Sequence, residues 1–270
     1  MSFASVSRTV SRRTQEHHRR TAVALVISEV FCYNNPNGVI NVDALREIWN
    51  AFDFTYILKL ISSVVPSLIC ISVHETCHGL AAYALGDDTA KNQGRLTMNP
   101  IRHIDVTGLL MMMLFHVGWA KPVPVNMMKF KNPKRGMAVT ALAGPASNVL
   151  LAVVFIFIYG ALYLPLKASA VGAYILDMIL VGSYISIGLA VFNLIPVPPL
   201  DGSKILFSFL SNRTYYKLMR YERYFSLIMI VLVATGIIGR PLSSAISSVY
   251  DFFTPVADFS YRLVRNLFYR

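Results

Sequence analysis

Residues 54–85 form an apolar stretch long enough to cross a bilayer, yet the sequence His74-Glu75-Thr76-Cys77-His78 lies inside it. A span needs about 20 mostly apolar residues. An ionisable side chain within one is costly and faces a partner, a cavity or a substrate. At about 100° per residue, His74 and His78 stand about 40° apart around the helix and one turn apart along it. Two imidazoles so placed can share one metal ion. Glu75 is rotated about 100° from His74, close enough to reach a water at that metal without being its natural third ligand. This is the HExxH arrangement of zinc hydrolases. A purely structural reading needs two buried histidines and a buried glutamate with partners, and a metal is the simplest partner.

Composition supports the membrane setting. Of the 270 residues, 55% are hydrophobic and only 14% charged, with a mean hydropathy of +0.52. A soluble domain carries about 25% charged residues, so a soluble globular protein, a disordered chain and a secreted scaffold are all disfavoured. Besides 54–85, the segments 107–118 (short), 137–164 and 171–195 are apolar, and a fifth, 224–238, follows a charged segment. The tail 241–270 crosses once more or lies in the interface. A basic N-terminal tail precedes a weak apolar helix at 22–31. The expected fold is an all-α polytopic membrane protein with about five to six transmembrane helices. Its expected organisation is an N-terminal tail over 1–50, a membrane core over 51–210 and C-terminal transmembrane or interfacial helices over 211–270. Cys32, Cys70 and Cys77 form no disulfide framework.

The net charge of +11 points in a membrane protein to basic cytoplasmic loops beside anionic lipid, and no nucleic-acid partner is expected. Lys121, Lys129, Lys131, Lys134 and Arg135 precede the 137–164 stretch, and Lys204, Arg213, Lys217, Arg220 and Arg223 follow the 171–195 stretch. These two stretches therefore form a hairpin with both basic ends in the cytoplasm.

A hydrolytic zinc takes three protein ligands and keeps a fourth position open. The best candidate for the missing ligand is Asp201, in Asn193-Leu194-Ile195-Pro196-Val197-Pro198-Pro199-Leu200-Asp201-Gly202. The prolines break the preceding helix, and the freed backbone groups must line protein or water. Asp201 falls at the broken end. Its bland alternative is an N-cap for a helix over 203–209; beside the intramembrane HETCH, the ligand reading is preferred. Asn148 follows the small residues Gly144, Ala146 and Ser147, which let another helix approach closely. It is either interhelical glue or a group that binds substrate or transition state, and Asn193 is read the same way. No metal role is expected of His103 or His116. Cys77 is a small helix-packing residue, and Met111-Met112-Met113 is adaptable packing.

These residues together resemble the site-2 proteases, intramembrane zinc metalloproteases, and in particular their compact bacterial branch without PDZ or nucleotide-sensing (CBS) domains. The similar segments are HETCHGLAAYALGDDTAKNQGRLTMNPIRHID (74–105), GWAKPVPVN (118–126), NPKRGMAVTALAGPASN (132–148) and NLIPVPPLDG (193–202). Four motifs in order are far more specific than HExxH alone, and Thr76 and Cys77 merely fill its variable positions. The resemblance implies one Zn2+ held by His74, His78 and Asp201, with Glu75 as catalytic acid/base activating the zinc-bound water. It implies substrate contacts from Asn148 and Asn193, and a short extended re-entrant segment around 118–126. It also implies a multi-pass cell-membrane location, a site within the bilayer toward the cytoplasm, and transmembrane proteins as substrates in regulated intramembrane proteolysis.

Proteases act on extended backbone, so a helical substrate must unwind, and the proline-rich segment 120–126 offers an edge to which it adds as a strand. Two other classes use similar residues. An ion or metal transporter also has broken helices and buried Asp, Asn and His, but needs no general base beside the ligands. A non-catalytic scaffold with structural zinc usually shows a fourth Cys or His.

Overall fold

The computed structural model describes residues 54–105, 108 and 121–269. The chain divides after Lys59, and the compact unit Leu60–Arg270 carries the elements below apart from the first six residues of the first helix. The first, α1 (Phe54–Ala84), is a single long helix holding His74, Glu75 and His78 in its second half. A one-turn helix α2 (Thr89–Asn92) and a 3-10 turn (Pro100–Arg102) follow it. The Asn99 side chain accepts from the Ile101 N–H and starts that turn. Residues 121–126 are neither helix nor strand. Pro122 and Pro124 fix their own φ and push the residues before them into extended conformations. Asn126 then caps a second 3-10 turn, Met127–Lys129.

The two helices α3 (Pro133–Leu166) and α4 (Ala170–Asn193) form the expected hairpin. Each begins on a side-chain cap: Asn132 accepts from the Arg135 N–H, with Pro133 in the first helical turn, and Ser169 accepts from the Gly172 N–H. The loop after α4 carries Pro196, Pro198 and Pro199 and ends at α5 (Asp201–Ser208). Then come α6 (Asn212–Arg220), α7 (Glu222–Ala234) and α8 (Gly239–Phe268).

Three described helices are long and apolar enough to cross a membrane: Leu60–Ala84, Pro133–Leu166 and Ala170–Asn193, with mean hydropathies of 1.5, 2.5 and 2.1. The fifth apolar stretch folds as the 13-residue α7, short of the roughly 20 residues a span needs. The tail is one continuous amphipathic helix, α8, packed on α3 and α4. The expected N-terminal tail 1–50 and the 107–118 stretch, apart from Gly108, lie outside the described residues, and no strand occurs among those described.

The apolar core joins Ala152 and Ile156 of α3, Ile187 of α4 and Ile246 of α8, closed over by Val249, Phe253 and Ala257. At Gly160 the α3 and α8 backbones come so close that an added Cβ would lie 2.1 Å from the Ala257 carbonyl oxygen. Between α1 and α4, the Cys70 thiol donates to the Gly182 carbonyl at 3.6 Å. A cluster of buried polar side chains lies where α1, α3 and the start of α5 meet.

Candidate metal centre

The i, i+4 spacing works as the helix geometry requires. His74 and His78 lie on one face of α1 with ring centroids 4.5 Å apart and their Nε2 atoms 2.9 Å apart. The proline-broken end of α4 lets α5 start beside them. Asp201 Oδ2 lies 3.2 Å from His74 Nε2 and 3.1 Å from His78 Nε2. All three residues are buried, at 6%, 9% and 7% exposure. A tetrahedral ion with bonds of about 2.0 Å has ligand atoms about 3.3 Å apart, close to the spacing seen.

Asp201 does not cap its helix. The N-cap is Leu200, without a side-chain cap bond, and Asp201 occupies the first turn with its carboxylate turned to the imidazoles. Its second oxygen, Oδ1, lies 3.4 Å from Lys204 Nζ. Burial alone would raise this carboxyl, but the two imidazoles and Lys204 outweigh it and hold the group well below the usual carboxylate range.

The protons behind the rings decide what the centre can hold. His78 Nδ1 is 2.7 Å from the Thr140 carbonyl oxygen. A carbonyl only accepts, so Nδ1 carries a proton, and Nε2 either carries a second one toward Asp201 or is left bare for a metal. Facing a carboxylate oxygen at 3.1 Å, that nitrogen is satisfied by its own proton when no metal is bound and by the ion when one is, so the pair suits exchange of a proton for a cation. The fully buried Asn148 amide lies 3.2 Å from His74 Nδ1 through Nδ2. Its Oδ1 has no partner among the described residues. A half-turn of the amide lets Oδ1 accept from His74 Nδ1–H, the tautomer that frees Nε2 for a metal.

Space is kept for the rings by Gly144 of α3. A Cβ there would lie 2.5 Å from His78 Cε1 and Nε2 and 2.7 Å from His74 Cε1. The donor set, two imidazole nitrogens and a carboxylate oxygen, together with this cradle, fits zinc with a fourth position open. His74, His78 and Asp201 are also the one set of His, Cys, Asp or Glu side chains among the described residues able to converge on an ion.

A family model described as peptidase family M50 matches residues 166–237, the stretch that contains Asn193 and Asp201. A protein of Bacillus subtilis named "Putative zinc metalloprotease YwhC" is 36% identical over 178 residues, covering 64% of this chain and 80% of that relative. The chain belongs to peptidase family M50. A relative from Mycolicibacterium smegmatis, named Rip2 under the same description, is 24% identical over 245 residues, 89% of this chain and 90% of the relative. A third, from Methanocaldococcus jannaschii, is 30% identical over 161 residues, 58% of this chain and 76% of the relative. No solved structure matches.

Glu75 stands beside the cluster, half-buried, with Oε2 accepting from the Val123 N–H at 2.8 Å. Asn148 joins the cluster through His74, whereas Asn193 sits half-buried in the last turn of α4 and donates from Nδ2 to its own helix at the Leu189 carbonyl, 2.9 Å away. His103 is buried elsewhere, with Nε2 2.7 Å from the Thr97 carbonyl, and His116 lies outside the described residues. Cys77 is half-buried and outside the donor set.

Two groups that serve the centre leave no mark of their own in the sequence. The Thr140 carbonyl and the Val123 N–H are backbone atoms that any residue would supply. Gly144 was visible as part of a small-residue run, but that run says only that something approaches closely.

Proposed function

We propose that this chain is an intramembrane zinc metallopeptidase of the site-2 type, hydrolysing peptide bonds in or near transmembrane segments of other membrane proteins. The observation that carries this is the convergence of His74 Nε2, His78 Nε2 and Asp201 Oδ2 with Glu75 held alongside but outside the cluster. The three donors would hold zinc, which supplies a Lewis acid that polarises the scissile carbonyl and acidifies water.

The chain's own residues then do the following. Thr140 and Asn148 orient the two imidazoles from behind. Glu75 accepts the proton of the attacking water as the new C–O bond forms. It returns that proton to the departing amine as the C–N bond breaks. The Val123 N–H fixes Oε2 of Glu75 and leaves Oε1 for that transfer. Asn193, half-buried at the proline-broken end of α4, is assigned to face the substrate. The unwound substrate adds as a strand along the 121–126 segment. The basic residues Lys129 and Lys217 put the site on the cytoplasmic side of a multi-pass cell-membrane protein. A metal carrier or structural zinc protein has no use for a carboxylate poised beside the ligands without joining them.

Glu75→Gln tests the reading. In proteoliposomes with a transmembrane substrate, its cleavage rate should fall by about 10²–10⁴-fold. Zinc should stay near one per chain. Undiminished cleavage would show that another residue handles the proton, and no cleavage by the wild type would show that the protein is not a hydrolase.

A further inference from the structure

Two buried charged side chains outside the donor cluster hold the segment that touches Glu75. Asp87, fully buried just beyond α1, accepts through Oδ2 from the Asn126 N–H at 2.6 Å. Its Oδ1 accepts from the Thr89 N–H at 3.0 Å and from the Thr89 hydroxyl, and Lys129 Nζ lies 3.8 Å away. Burial alone would push this carboxyl up, but the Thr89 and Asn126 bonds and Lys129 outweigh it and hold it below the usual range. Arg95, 8% exposed, has no ion-pair partner among the described residues. Its guanidinium donates to the Lys121 carbonyl at 2.7 Å, the Pro122 carbonyl at 3.2 Å and the Arg102 carbonyl.

The two ends of 121–126 are thus tied down separately: Arg95, with the Lys121 N–H to His103 carbonyl bond of 2.9 Å, holds the start, and Asp87 holds the end. Between the ties, the Val123 N–H reaches Glu75. The segment needs such ties. Pro122 and Pro124 have no N–H and cannot be held by strand pairing on their edge. A guanidinium buried without a carboxylate is expensive, and here two of its three carbonyl acceptors belong to a segment that has no secondary structure of its own.

We propose that Asp87 and Arg95 are positioning residues for the hydrolysis proposed above, on which this inference rests. By fixing both ends of 121–126 they place the Val123 N–H, and through it the Glu75 carboxylate and the edge offered to substrate. They touch neither the metal donors nor the substrate, so their loss should leave the metal in place while the reaction suffers.

The test uses the full chain in proteoliposomes, with kcat and KM measured separately on a transmembrane substrate. Zinc content and amide exchange of 121–126 are read on the same samples. Arg95→Met and Asp87→Ala should each lower kcat by about 10–100-fold, the range typical of residues that support a metal site from behind. Exchange at 121–126 should rise by about tenfold while α3 and α4 keep their protection. Zinc should remain at the wild-type ratio. Arg95→Lys, which can reach one carbonyl but not three, and Asp87→Asn, which keeps one acceptor, should fall between. Where a severe variant does not fold, these conservative ones decide by the same readouts. A kcat within about twofold of wild type overturns the proposal. So does a kcat loss with unchanged exchange at 121–126, or one that accompanies zinc loss and general loss of protection. Failure of the peptidase reading looks different, because there the wild-type chain itself would leave the substrate uncut.

Discussion

The buried stripe of α3 runs through Thr140, Gly144, Asn148, Ala152, Ile156 and Gly160, always four residues apart, and its two halves face different things. The first half faces chemistry: the Thr140 carbonyl meets His78, Gly144 leaves room for both rings and Asn148 meets His74. The second half faces apolar packing: Ala152 and Ile156 join the core, and Gly160 admits the backbone of α8. At about 100° per residue each four-residue step turns the stripe by about 40°, so from Thr140 to Gly160 it winds about 200° round the helix and its two ends meet different neighbours. Between membrane helices, small residues allow close approach whatever is being approached. The polar members of the stripe are what separate the halves, because a buried amide or unpaired donor in such a place must have a partner.

Substitutions along the stripe separate the two roles, and the largest effect is expected at Gly144. Gly144→Ala drives a methyl into both imidazoles and should lower cleavage by about 10²-fold or more, since displacements near 1 Å at a reacting centre cost that much. Zinc should fall with it. Next is Asn148→Ala, which removes the partner of His74 Nδ1 and should weaken zinc by about 10–100-fold in competition with a chelator. In the other half, Gly160→Ala should cost about 1–3 kcal/mol of stability by overpacking the α3–α8 contact, with zinc per folded chain unchanged. The smallest effect is expected of Ile156→Val, about 0.5–1.5 kcal/mol in a denaturant titration, with kcat intact. If Gly160→Ala stripped zinc as Gly144→Ala does, the two halves would be a single coupled unit and the comparison would break.

Much of this was legible before any coordinates. The hairpin edges expected at 137–164 and 171–195 fall within four residues of the helices found, because apolar length is a strong signal. The three side chains of the candidate metal site could be picked out because ionisable groups in an apolar bundle are costly and few. Asp201 is the least local of them, yet the prolines before it mark a helix end where a carboxylate can turn inward. The apolar stretch at 224–238 misleads, because a 13-residue helix followed by a turn has the same composition as the core of a span. Arg95 and Asp87 were not singled out, since a charged residue just past a span reads as solvated. Only the fold shows both buried against one proline segment.

The central claim is that three side chains from α1 and α5 form one zinc site that the hydrolysis requires, and Asp201→Asn tests it most directly. Asparagine fits the same space at the start of α5, and no cap bond is lost, because Asp201 makes none. The contacts of the carboxylate with the two imidazoles and Lys204 are lost, so folding and insertion are verified on the same preparation. Losing the carboxylate should weaken zinc by at least the 10–100-fold typical of a supporting group, and by more for a direct ligand. Zinc per chain and cleavage of a transmembrane substrate, measured on one folded, membrane-inserted preparation of Asp201→Asn, should both be lost. A preparation that keeps one zinc per chain and wild-type cleavage would contradict the account.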